Sequence, residues 1–278
     1  MDGAYPTNLA GWTQCFARAD IPALRMTVAE LAALQEREDH VNARDIAAAV
    51  LHDPLAALRV LAHLATLAGK RESAEIWTIE ESVVMMGVVP FLRTFAAVPT
   101  LEQRLGAQPQ ALMGVLRVIR RAQNAAGWAR DWAIRRQDLD VERITIAALL
   151  HDLAEMLLWC LAPELALRIQ AMQAADPALR SQTAQRIVLG IGLNDLQLAL
   201  VRTWRLPNLL IEMMNDRQAR HPRVRNVVLA VNLARHAAHG WNDAALPDDF
   251  RDVADLLHTN VETARAIVHA PEPAAAHR

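Results

Sequence analysis

The run Ile144-Thr-Ile-Ala-Ala-Leu-Leu-His-Asp-Leu-Ala-Glu-Met-Leu-Leu158 constrains this fold more than any other segment, because it is apolar almost all the way round a helix. A helix of that kind has to be enclosed by other elements. Near its middle stand His151 and Asp152, side by side. Burying such a pair costs several kcal/mol unless it meets a metal, a counter-charge or a hydrogen-bond network. The chain therefore needs a core thick enough to surround a helix, and a reason for the polar pair inside it. With 278 residues it has the length, since a chain of about 300 buries roughly three-quarters of its unfolded surface.

The remaining pattern is helical. Val28, Leu31 and Leu34 form the apolar stripe of a helix expected over 27–37. Asn42 is placed to cap a second helix that stops near His52, since the residue before a proline disfavours helical geometry. Asp53 and Pro54 then supply an N-cap and first helical residue for 55–64. A short helix is expected from Thr78 or Ile79 to Gly87, and a long one with a wet face over 112–133. Asp138 or Asp140 can cap the His151 helix, and Pro163 follows its end. Further helices are expected over 165–174, 181–189, 195–204, 207–214, 224–239 and 261–269, while residues 1–20 read as a mixed lead. There is no convincing alternating strand, hairpin turn or fixed-period repeat, and only 10 Gly and one tyrosine, Tyr5. The fold class is all-α.

Composition narrows the partners. A balance of 29 basic against 31 acidic residues creates no long-range field for phosphate backbones or anionic membranes, so neither nucleic acid nor membrane is expected as a partner. Cys15 and Cys160 have no motif around them and read as reduced thiols. The N-terminal residues lack the order of a secretory signal, and no run of about 18 uncharged apolar residues occurs, so a cytoplasmic location is expected.

Several stretches in order resemble the HDOD domain, the HD-related output domain of bacterial signalling proteins. They are Ile21-Pro-Ala-Leu24, His52-Asp-Pro-Leu-Ala-Ala-Leu-Arg-Val-Leu61, Ile76-Trp-Thr-Ile-Glu-Glu-Ser-Val-Val-Met-Met-Gly87, Ala147-Ala-Leu-Leu-His-Asp-Leu153 and Trp204-Arg-Leu-Pro207. The resemblance covers roughly 21–216. It implies a multi-helix bundle in two adjoining lobes, 21–110 and an HD-phosphohydrolase-like 111–216; beyond it a helical extension over 217–270 and a flexible tail over 271–278 are expected.

HD phosphohydrolases hold a divalent metal with an early histidine, the His-Asp pair and a later aspartate, and the metal generates a hydroxide nucleophile. Where related sequences place the early histidine, this chain has Arg121, with Arg120 the alternative; arginine stays protonated and cannot ligate. Ile191-Gly-Leu-Asn-Asp195 stands where many relatives have a histidine, Asn215-Asp216-Arg217 replaces paired histidines, and Glu155 reverses the charge of a lysine common after the pair. The resemblance thus implies a dismantled metal site, with His151, Asp152 and Glu155 as vestigial candidates and no cofactor.

Three readings of His151-Asp152 stay open: a retained site helped by Glu155 at helical spacing, a remnant satisfied by neighbours or an arginine, and ordinary core. The sharpest expectation is that Arg121 pairs with Asp152, placing a fixed charge where a metal stood. Only one of Arg120 and Arg121 can face inward. Among weaker candidates, His52 and His63 read as structural, Trp128 and Trp132 as core packing rather than a ligand wall, and the run Arg217, Arg220, His221, Arg223, Arg225 as a solvated connection. The functional expectation is a non-catalytic regulatory or interaction module, a pseudoenzyme binding a protein partner in trans; a helical chain of this size can also homodimerise. The alternatives are a metal-dependent phosphohydrolase of nucleotides or cyclic nucleotides using His151 and Asp152, and a nucleotide sensor without turnover.

Overall fold

A computed structural model describes residues 5–68, 78–215 and 221–269. The helices follow in order: α1 (Leu9–Ala17), α2 (Arg25–Gln35), α3 (Ala43–Leu51), α4 (Pro54–Ala68), α5 (Ile79–Met86), α6 (Val88–Phe95), α7 (Leu101–Leu105), α8 (Pro109–Arg135) and α9 (Val141–Leu149). They continue with α10 (Leu153–Leu161), α11 (Pro163–Ala175), α12 (Ser181–Leu189), α13 (Leu193–Thr203), α14 (Asn208–Met213), α15 (Pro222–Ala237), α16 (Leu246–Leu256) and α17 (Val261–Ile267). Among the described residues there is no strand, only an isolated parallel bridge between Ala23 and Thr100. The fold is all-α.

Local chemistry sets many of the ends. Asn42 and Asp45 form a reciprocal capping box at α3, Thr78 and Glu81 do so at α5, and Thr100 and Gln103 at α7. Gly87, at φ +82°, ends α5 and lets α6 start at once. Pro163 opens α11, and Gly190, in the left-handed region, closes α12.

The chain divides into two compact units. The first comprises 1–119 and 152–211, the second 120–151 and 212–278. These units interleave along the chain. The first packs α3 on α5, α2 on α3 and α6, and α10 on α4, α7, α11 and α13, around Phe16, Leu31, Ile46, Leu58, Ile79, Phe91 and Leu101. In the second, α15 lies against α9 and α16, with Trp132 and Phe250 fully buried.

Residues 5–20 are more than a lead. Asn8 caps α1, whose Trp12 and Phe16, one turn apart, are buried, and α1 packs along α13. The Trp12 indole donates to the Leu189 carbonyl at 3.1 Å, and Tyr5 stacks on Trp12 while donating to Glu164. Burial and the neighbouring Glu164 push the Tyr5 hydroxyl up to about 12. Helix α16 is likewise not among the helices expected from sequence, although Pro247 at its start, Asp248 and Asp249 in its first turn and buried Phe250, Val253 and Leu256 mark it.

Gly190 joins α12 to the segment before α1. Its φ is +75°, and an added Cβ would lie 2.6 Å from the Thr7 carbonyl oxygen. Gly190→Ala is expected to lower the thermal unfolding midpoint by on the order of 5 °C, combining left-handed strain with the clash. A midpoint within a degree of the parent would show that Thr7 moves aside freely.

Taken as one segment, Val141–Leu161 has the length and hydropathy of a membrane span, yet 78% of its most apolar window is buried inside the protein. Enclosure by other helices accounts for its apolar character.

Candidate functional site

His151 and Asp152 do not lie within a helix, as the sequence pattern suggests, but in the turn between α9 and α10. Leu150 takes φ −94°, ψ 0° and Asp152 φ −103°, ψ 25°, so the helical ladder tightens and breaks without a glycine or proline. Asp152 occupies the N-cap position of α10 but makes no side-chain capping bond; its carbonyl accepts from the Glu155 and Met156 amides. The premise that His151 and Glu155 share one helical face therefore fails, because His151 is not helical. His151 is 5% exposed, while Asp152 and Glu155 are half-buried. The division of the chain falls between His151 and Asp152, with Arg121 and His151 in the second unit and Asp152 and Glu155 in the first.

On α8, Arg117 and Arg120 are exposed and Arg121 is half-buried, so of the two candidates Arg121 faces inward. Leu193 and Asn215, near positions where the resemblance implies histidines, are buried and half-buried, and neither carries an imidazole. Asp216, Arg217 and Arg220 lie outside the described residues, as do Ile76 and Trp77. Among the described residues no three His, Cys, Asp or Glu side chains are grouped so as to hold a metal ion.

The other candidates resolve into packing and ion pairs. Trp132 is fully buried, whereas Trp128 is half-buried and meets Trp241 edge-on at 6.4 Å, so the two do not form one wall. His52 is exposed at the end of α3. His63 packs edge-on against Phe95 at 5.5 Å, and burial, with Arg59 nearby, lowers its pKa. The basic run beyond 220 is engaged rather than simply solvated. His221 accepts from the Arg223 amide, Arg223 pairs with Asp140 at 2.8 Å, and Arg225 pairs with Asp255 at 2.6 Å. Asp140 also binds Arg143 at 2.9 Å, which explains why it sits at the α9 N-cap without capping it. Cys160 is buried, and burial pushes its thiol up to about 12, so it stays protonated and inert.

A polar centre that sequence reasoning divides between two motifs is a single construction. The Asp53 carboxylate is completely buried and accepts from Leu55 and Ala56, the start of α4, at 2.9 and 3.1 Å. It also accepts from the Leu24 amide at 2.6 Å, where α2 begins. Two helix N-termini thus converge on one carboxylate, which suits their partial positive charge. Thr27 adds a side-chain hydrogen bond. Ala23, one residue earlier, donates to Pro99 and accepts from Leu101, and Arg59 of α4 donates to the Ile21 carbonyl and pairs with Asp20. The Ile21-Pro-Ala-Leu24 and Asp53-Pro54 motifs are therefore two halves of one joint. A capping role for Asp53 is legible from its place before Pro54; the third donor, 29 residues away, is not.

In the second unit, His236 Nδ1 lies 2.6 Å from an Asp249 carboxylate oxygen, linking α15 to α16. Burial raises the Asp249 pKa, and His236 opposes that shift.

This all-helical arrangement is shared with proteins of known structure. A response regulator, MmoQ, from Methylococcus capsulatus str. Bath aligns at a TM-score of 0.67 and 16% identity, covering 91% of this chain and 99% of that one. A virulence factor from Campylobacter jejuni subsp. jejuni aligns at a TM-score of 0.68 and 17% identity, covering 94% and 97%. At such identities the likeness establishes the fold alone. No functionally curated protein matches the chain. The sequence model of the HDOD domain matches residues 21–220, and the chain belongs to the HDOD family. Membership brings a signalling role at the level of the family.

Proposed function

We propose that this chain is a non-catalytic regulatory module of bacterial signal transduction, acting in the cytoplasm by binding a protein partner through helical surfaces. Arg121 carries the reading: at the position where the resemblance implies the first histidine ligand of the wider HD group, the chain has a half-buried arginine, whose guanidinium stays protonated. A near-neutral net charge of −2 gives no reason to invoke nucleic acid or a membrane surface.

Metal content and turnover test it together. Protein purified from manganese- and iron-supplemented cells is expected to hold well below one metal per chain and to leave nucleoside triphosphates and cyclic nucleotides unhydrolysed. Stoichiometric metal that disappears in His151→Ala, accompanied by hydrolysis, would establish the phosphohydrolase instead. A nucleotide at 100 times its dissociation constant stabilises a protein by about 2.7 kcal/mol. A thermal shift of that size, lost in Arg121→Ala, would make the chain a nucleotide sensor.

A further inference from the structure

An open groove of about 700 Å³ runs along α1 and α13 in the first unit. Its floor is Ala10, Thr13 and Ala17 of α1 with Ala199 and Thr203 of α13, and no acidic residue lines it. Leu9, 37% exposed, stands at one end and Arg18 at the other. The contacts of Thr7 with Gly190 and of Trp12 with Leu189 show that the two helices begin at the same end of the unit. Their far ends accordingly carry Arg18 and, exposed beside Thr203, Arg202. Neither cation has an acidic partner among the described residues.

We infer that this groove docks a helix of a partner protein, with small aliphatic residues facing the floor and a carboxylate over Arg18 and Arg202. The inference rests on the interaction-module reading and specifies its surface and partner chemistry. Both walls are helices whose backbone groups are already paired internally, so an extended peptide would bury amides without partners, whereas a helix brings its own satisfied. Alanine and threonine on the floor permit close approach of a third helix. The nine residues of α1 span about 13 Å, matching two to three turns of a partner with anchors at i, i+3 or i+4, and i+7. The two arginines at one end select an acidic terminus or side chain and set the direction of docking.

The test uses the full chain and two fluorescent 18-residue helical peptides with the same Ala/Leu face, one flanked by glutamates and one by lysines. Anisotropy titrations should show saturable binding of the acidic peptide and at least tenfold weaker binding of the basic one. Ala10→Trp and Thr203→Trp, at exposed positions that leave the core intact, should abolish binding, and Arg18→Glu should reverse the preference. Equal affinity for both peptides, no binding of either, or binding that survives both tryptophans would overturn the inference. Concentration-dependent self-association lost in Ala10→Trp would overturn it too, by making the occupant a second copy of this chain. Metal content and nucleotide hydrolysis are independent of these titrations, so loss of the groove and loss of the non-catalytic reading are separate results.

Discussion

Asp53→Ala should destabilise the first unit by about 3–5 kcal/mol, a large part of the 5–15 kcal/mol that holds a typical domain together. The substitution leaves the amides of Leu24, Leu55 and Ala56 without their acceptor. Each buried donor so orphaned costs about 1–3 kcal/mol, partly relieved where water can reach it. Asp53→Asn should fall between Ala and the parent. Its single carbonyl can still serve Leu55 and Ala56, but its amide then faces the Leu24 N–H, donor against donor.

The pH dependence has a defined sign. Burial, the largest influence, raises the Asp53 pKa, while the three amides and Thr27 act to lower it. A native state that holds this proton more tightly than the unfolded chain has its full contribution below the unfolded aspartate value of about 3.9, and loses it as pH rises through the native value. The stability gap between parent and Asp53→Asn should therefore be widest in acid and narrow as pH rises, as read from urea unfolding at a series of pH values. A gap that widens with pH would mean that the converging helix N-termini outweigh desolvation.

Local signals account for most of what the sequence discloses. The capping residues Asn42 and Thr78, Gly87, and the Asp53-Pro54 pair mark the ends of α3, α4 and α5 within a few residues, because the capping chemistry lies within four positions of the end it controls. The missed elements have weaker or more distant support. Helix α1 depends on packing along α13, more than 170 residues away, and on burying Trp12 and Phe16, although Asn8 and the Trp12–Phe16 spacing are readable. The break at 150–152 carries no glycine or proline, and apolar residues on both sides continue the helical pattern through it. That break changes the candidate site most: it removes the shared helical face on which Glu155 could assist His151. The departures at Arg121 and Asn215, by contrast, are visible as residue types. Their chemistry does not depend on where a helix ends.

Gly114→Val is expected to cost more than 3 kcal/mol, and Gly114→Ala about 1–3 kcal/mol, despite the gain of roughly 1 kcal/mol that alanine brings to a helix interior. A Cβ at Gly114 would lie 2.5 to 2.8 Å from three atoms of the Trp159 ring, which is itself buried on α10. The glycine's entropic penalty is thus offset by an approach of α8 to that ring which no other residue permits. Trp159→Leu alone should also destabilise, by about 2–4 kcal/mol, through the cavity it leaves. The combination is the discriminating measurement, since replacing the indole with a leucine vacates the space that the added methyl on α8 needs. Gly114→Ala with Trp159→Leu should cost at least 1 kcal/mol less than the sum of the single changes, as read from chemical unfolding. Strict additivity would show that the ring swings away without cost. α8 runs on from this contact to Arg121 seven residues later, and α10 begins immediately after Asp152. The Gly114–Trp159 contact therefore fixes the spacing of α8 and α10 within the first unit.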